Sequence, residues 1–130
     1  MDGPAGASAT NEEHEDTARS LIGRMWTLRT VAGAPVTTLH PPSLRFEADG
    51  RITGSTGVNR MFGDYEIADG RLDVINVGST LMAGPPEAMT LEADVLRTLT
   101  GGGPITVDDG VLTIGAGDHQ LTFDAAVVHS

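Results

Sequence analysis

Residues 54–65 read Gly54-Ser55-Thr56-Gly57-Val58-Asn59-Arg60-Met61-Phe62-Gly63-Asp64-Tyr65. The run holds three glycines, one asparagine and two aromatics in twelve positions, just after a hairpin signal at Asp49-Gly50. Glycines spaced like Gly54 and Gly57 permit a bulge or a close approach of two backbones. Asn59 suits a buried organiser whose amide satisfies loop backbone groups. A phosphate-cradling loop would lead from a strand into a helix, whose first N–H groups face the anion. This loop leads into another strand, and no lysine follows it. The segment therefore reads as a fold determinant rather than a reaction centre.

Outward from it, the pattern is that of an antiparallel sheet. Arg24 to Thr30 reads as a first strand, with Trp26 and Leu28 on one face. Gly33, Pro35 and Pro41-Pro42 break the chain into turns and edge segments. In Ser43 to Ala48, Leu44 and Phe46 face one way and Arg45 and Glu47 the other. Asp49-Gly50, Asp69-Gly70 and Asp109-Gly110 each fit a two-residue type I′ hairpin, because Asp and Gly tolerate positive φ. They connect strands at Arg51 to Ser55, Met61 to Ile67, Arg71 to Val77, Ile105 to Val107 and Val111 to Ile114. A Gly115-to-Asp118 turn leads to a last strand, Gln120 to Phe123. Between Pro86 and Leu99 the period becomes helical. Ala88, Leu91, Val95 and Leu99 make one stripe, flanked by Met89 and Leu96. Prolines suit the helix start and Gly101 to Gly103 its end. One amphipathic helix among antiparallel strands must bury its stripe on the sheet. The predicted fold is α+β: a strongly curved antiparallel sheet, a partial barrel, packed on one main helix.

Three separated pieces together resemble the META domain family, the HslJ-like heat-shock proteins. The first is Trp26-Thr27-Leu28 followed by Gly33 to Pro35. The second runs from Leu44-Arg45-Phe46 through Gly54 to Asn59 and on to Gly63-Asp64-Tyr65. The third is Thr80-Leu81-Met82-Ala83-Gly84, leading into the helix with Glu92. On this resemblance the signature residues are Trp26, Gly54, Gly57, Asn59, Gly63, Tyr65, Thr80 and Met82, all in structural roles. The resemblance also implies that Val58 and Gly84 stand where many relatives carry cysteine, a pair that exported relatives could bridge. Both positions differ here, so the two are expected to lie near each other, with Val58 as an apolar replacement. Family membership implies a link to stress and heat-shock responses and no common catalytic residues.

Composition narrows the function further. The chain has 130 residues, enough for one domain, and a formal net charge of −10. Such a surface repels nucleic-acid phosphates and anionic membrane faces. There is no cysteine, which excludes disulfides, thiolate catalysis and thiolate-bound metals. Residues 1–20, with the run Glu12-Glu13-His14-Glu15-Asp16, are expected to form a disordered acidic tail. A short helix over Thr17 to Gly23 is compatible with Ala18, Leu21 and Ile22. The domain is expected over residues 21–127, with 128–130 as a short tail. No basic and apolar leader pattern opens the chain, and no apolar run reaches membrane-spanning length. A cytoplasmic location is the expectation.

Candidate chemistry is sparse. His14, His40, His119 and His129 have no metal-ligand spacing. Ser55 and Ser79 lack an evident histidine partner. Asp64 and Glu66 share one strand face, with Asp73 expected nearby, and read as solvated carboxylates. Catalytic, cofactor and metal residues are therefore all expected to be none. Met61, Met82 and Met89 are candidates for an apolar groove between helix and sheet. Trp26, Phe46, Tyr65 and Leu91 should be core. The preferred reading is a monomeric, non-enzymatic binding or interaction module with an unidentified protein partner. The alternative is a carrier of a small apolar ligand, such as an acyl chain, in that groove. A carrier needs an internal apolar cavity, whereas an interaction module needs an exposed apolar patch or an open sheet edge.

Overall fold

The structure is a computed structural model and describes residues 21–125. The two tails and most of the Thr17-to-Gly23 helix lie outside the described residues.

Nine strands follow the turn signals closely. They are β1 (Met25–Val31), β2 (Ala34–Pro35), β3 (Ser43–Phe46), β4 (Arg51–Ser55), β5 (Arg60–Ala68), β6 (Arg71–Ser79), β7 (Gly103–Asp108), β8 (Val111–Ile114) and β9 (Leu121–Ala125). The helix α1 spans Pro86–Gly101, between β6 and β7. A 3₁₀ turn at Gly117–His119 precedes β9.

The sheet closes on itself. Every neighbour pairs antiparallel in the order β1-β3-β4-β5-β6-β7-β8-β9, and β9 returns to β1 through Trp26–Ala125, Leu28–Phe123 and Val31–Leu121. β2 is a two-residue flap on β1. The expected α+β fold, a strongly curved antiparallel sheet packed on a helix, is present, and its curvature runs on to full closure as an eight-stranded barrel. The reason is non-local. Nothing local in β1 or β9 marks them as partners, yet joining them removes both free edges.

Eight strands enclose a space that side chains can just fill. Trp26, Phe46, Ile52, Met61, Leu72, Leu112, Ile114, Leu121 and Phe123 are fully buried there, on alternate positions of their strands. Trp26 needs a partner for its indole N–H, and Nε1 donates to the Leu21 carbonyl at 3.1 Å. The helix adds Val95 and Leu99 to the core, with Leu91 and Leu96 packed beside them. It lies chiefly against β6, next to a thin seam where β6 and β7 pair only through Arg71–Pro104 and Leu72–Gly103.

Turn chemistry explains the register. Asp69 and Gly70 have φ of 54° and 73°, and Asp109 and Gly110 have 51° and 77°, as type I′ turns require. Asp49-Gly50 differs from that expectation. Only Gly50 has positive φ there, and the Gly50 N–H donates to the Glu47 carbonyl at 3.2 Å. Ala48 lengthens the loop by one residue, so a turn followed by a left-handed glycine replaces the two-residue hairpin. On β6, Asn76 has φ of 56° and marks a bulge opposite Gly63. Its amide donates to the Asp64 carboxylate at 2.9 Å.

Candidate functional site

The turn Thr56-Gly57-Val58-Asn59 joins β4 to β5. Its backbone closes through the Thr56 N–H donating to the Asn59 carbonyl at 2.8 Å. The Thr56 hydroxyl accepts from the N–H groups of Val58 at 3.2 Å and Asn59 at 2.8 Å. It donates to Glu92 Oε2 on the helix at 2.6 Å. Ser55 Oγ accepts from the Gly57 N–H at 3.1 Å. A fully buried threonine thus folds the turn around itself and ties it to α1.

Asn59 is 3% exposed and uses its whole hydrogen-bonding capacity. Nδ2 donates to the Met82 carbonyl at 3.0 Å and to Glu92 Oε2 at 2.7 Å. Oδ1 accepts from the Met82 N–H at 2.6 Å and the Thr80 hydroxyl at 2.9 Å. Thr80 in turn accepts from the Arg60 N–H at 3.0 Å. One side chain therefore holds the β4–β5 turn, the segment after β6 and the helix together. The bonds to Glu92 involve a carboxylate and are the stronger kind.

The signature glycines serve this packing. A Cβ at Gly54 would overlap the Ser43 carbonyl oxygen on β3. Gly57 has φ of 95°, and a Cβ there would stand 2.6 Å from the His40 carbonyl oxygen. Gly63 is buried opposite the β6 bulge. Tyr65 packs edge-on against Phe46, with ring centroids 5.0 Å apart, and its hydroxyl donates to the Glu47 carbonyl at 2.7 Å. Burial, then the Asp49 and Glu47 carboxylates, raise its phenol above the ordinary value of 10.0. Val58 and Gly84 are neighbours, as expected: a Cβ at Gly84 would lie 3.6 Å from the Val58 Cβ.

The structure brings Asn59, Thr80 and the Met82 backbone together, while Trp26 and Tyr65 lie elsewhere in the core and wall. Thr56 and Glu92 are the cluster members that sequence reasoning did not single out as site residues. Glu92 occupies a helix position outside the apolar stripe and looks solvated in one dimension. Its i−4 neighbour Ala88 belongs to the buried side, and that proximity was the available signal.

The expected methionine groove does not form among the described residues. Met61 is buried in the barrel, the Met82 side chain is 62% exposed, and Met89 is half-buried on α1. The depression beside the helix, about 200 Å³, is bounded instead by Val31, Val36, Thr38, Glu87, Leu91 and Asp94. Helical periodicity specified a buried stripe but not its rotation against the sheet. Asp64 and Glu66 are exposed on β5, and Glu66 faces Asp73 directly across to β6. No group of three potential metal ligands occurs among the described residues. No described helix is long and apolar enough to cross a membrane.

Chemically the Thr56 hydroxyl and the Asn59 amide are fully engaged. The Thr56 oxygen already accepts two backbone N–H groups and donates its one proton to a carboxylate. A nucleophile needs a free lone pair directed at a substrate. Glu92 Oε2 is likewise occupied by two donors.

A closed eight-stranded antiparallel barrel with α1 packed on it, latched by a buried asparagine in the β4–β5 turn, defines a small α+β scaffold. The META domain pattern matches residues 19–128, and the chain belongs to that family. A protein structure determined by NMR is 26% identical, with a TM-score of 0.70, covering 83% of this chain and 93% of that one. A second NMR structure, of a protein from Burkholderia xenovorans, is 22% identical with a TM-score of 0.65. It covers 87% of this chain and 88% of its own, and shares the fold. No curated protein matches the chain.

Proposed function

We propose that this META domain is a non-catalytic interaction module that binds a protein partner through the barrel end carrying the Asn59 latch. The observation that carries this reading is the exposure of large apolar side chains on loops beside the latch. Leu81 is 94% exposed, Leu39 87% and Met82 62%. Leu81 and Met82 lie on the segment Asn59 holds, and Leu39 precedes His40, whose carbonyl abuts Gly57. Loops carried on a rigid scaffold are the usual place for recognition. Fixing them beforehand lowers the ordering cost of association. Protruding side chains on separate loops suit the apolar core of a protein interface, whereas a small molecule needs a concave, enclosing site. The filled barrel and the buried helix face support the same choice over an internal carrier.

Native mass spectrometry of the protein purified from its own host tests this, beside Leu39→Asp and Leu81→Asp variants. The parent should retain one stoichiometric protein partner, identified by its mass. Each variant should lose it while melting at the parental temperature. A partner retained by both variants, or a parent that carries none, overturns the proposal.

A further inference from the structure

A second feature lies at the β6–β7 seam, near the C-terminal end of α1. The seam holds a pocket of about 400 Å³ whose walls include Arg71, Arg97 and His119 and whose floor includes Gly102, Gly103 and Gly115. That volume falls within the range of small-molecule sites. Backbone approaches backbone closely around it. A Cβ at Gly102 would stand 2.9 Å from the Leu72 carbonyl oxygen, and one at Gly115 would stand 2.7 Å from that of His119. Both glycines have positive φ, of 71° and 83°. Thr98 holds the far wall by donating to the His119 carbonyl at 2.8 Å.

The charge at this pocket runs against that of the whole chain. The sequence carries 18 acidic residues and eight basic ones, every basic residue being arginine. Two of those arginines and a histidine line this pocket, and no carboxylate lines it. Three acids lie close by. Asp94 pairs with Arg97 at 3.6 Å through one guanidinium nitrogen, leaving the rest of that fork unused by the pair. Asp73, two positions from Arg71 on β6, sets a carboxylate oxygen 3.0 Å from where a Gly102 Cβ would stand, at the pocket's edge, and Asp118 precedes His119; neither is a lining residue. Arg71 forms no ion pair among the described residues. A guanidinium fork matches the geometry of carboxylate and phosphate oxygens. A cleft lined by one sign of charge concentrates the opposite sign.

We propose that the seam pocket binds the oxyanion group of a small ligand, a carboxylate or a phosphate, through Arg71 and Arg97. The site is separate from the loop surface assigned above and stands or falls independently of it. The experiment is an amide NMR titration of the full chain with inorganic phosphate and, separately, with acetate, at constant ionic strength. The amides of Gly101, Gly102, Gly103, Gly115 and Ala116 should shift saturably with at least one anion. Arg71→Gln and Arg97→Gln should each weaken that binding about tenfold, the loss of one charge-assisted contact. Arg51→Gln, on the remote β3–β4 hairpin, should leave it unchanged. Both pocket arginines are exposed, so the variants should fold; their amide spectra report this directly. Saturation by phosphate alone assigns a phosphoryl ligand, by acetate alone a carboxylate, and by both a site open to either. Shifts that stay linear for both anions, or saturable shifts that survive in both arginine variants, overturn the proposal.

Discussion

Replacing Asn59 with alanine removes four hydrogen bonds from a residue that is 3% exposed. The cost depends on which partners water can reach afterwards. Thr80 and Met82 lie on an exposed segment, so their freed groups recover hydration and lose only a net bond, about 1 kcal/mol or less each. Glu92 is half-buried and keeps its bond from Thr56, so it loses one of two donors rather than both. A small cavity is left as well. The sum is roughly 2–3 kcal/mol, toward the upper end of the cost of one buried polar deletion. For a domain of this size that lowers Tm by about 6–12 °C. Circular dichroism melts, with urea unfolding to give the free energy, measure it. Asn59→Asp supplies the electrostatic control. It keeps an acceptor for Met82 but sets a second carboxylate where Nδ2 now lies, 2.7 Å from Glu92 Oε2. Repulsion raises the folded-state carboxyl pKa above its unfolded value, so the penalty is present at neutral pH and fades as pH falls through that range. An Asn59→Ala variant that melts within about 1 °C of the parent refutes the latch.

The other expectations concern neighbouring features. Val58→Cys with Gly84→Cys should form a disulfide on air oxidation, because the 3.6 Å Cβ separation lies within the range a bridge needs. Closing that loop should stabilise the oxidised form by up to about 3 kcal/mol; thiol titration and paired melts with and without reductant check both statements. Tyr65 has a folded-state pKa raised above its ordinary value. Its contribution is therefore fully present below about pH 10 and is lost as pH rises through the folded value. Tyr65→Phe should flatten the alkaline fall in urea-unfolding free energy; an unchanged slope would dismiss the phenol as its source.

Legibility from the sequence followed contact range. The three Asp-Gly turns, the strands they join and the change to helical period are local patterns, and all are present at nearly the expected residues. Gly54 and Gly57 were readable as close-approach positions because only backbone geometry demands glycine there. What the sequence does not mark is long-range. Barrel closure joins residues as far apart as Trp26 and Ala125. The latch joins Asn59 to Glu92 across 33 positions. Neither end of such a pair carries a mark of its partner. The methionines failed for a related reason, since thioethers fit core and surface alike and say nothing about which helix rotation is chosen.

Closure by β1 and β9 also bears on how the molecule is made. β1 is the first described strand to leave a ribosome and β9 the last, so Trp26 and Leu28 wait for Phe123 and Ala125. At translation rates of roughly 5–20 residues per second, that wait lasts several seconds to about twenty. During it β1 has β3 on one side and an unoccupied edge on the other, the geometry that recruits strands from other chains. Nascent copies on one message therefore carry an exposed β1 edge that the finished barrel pairs with β9.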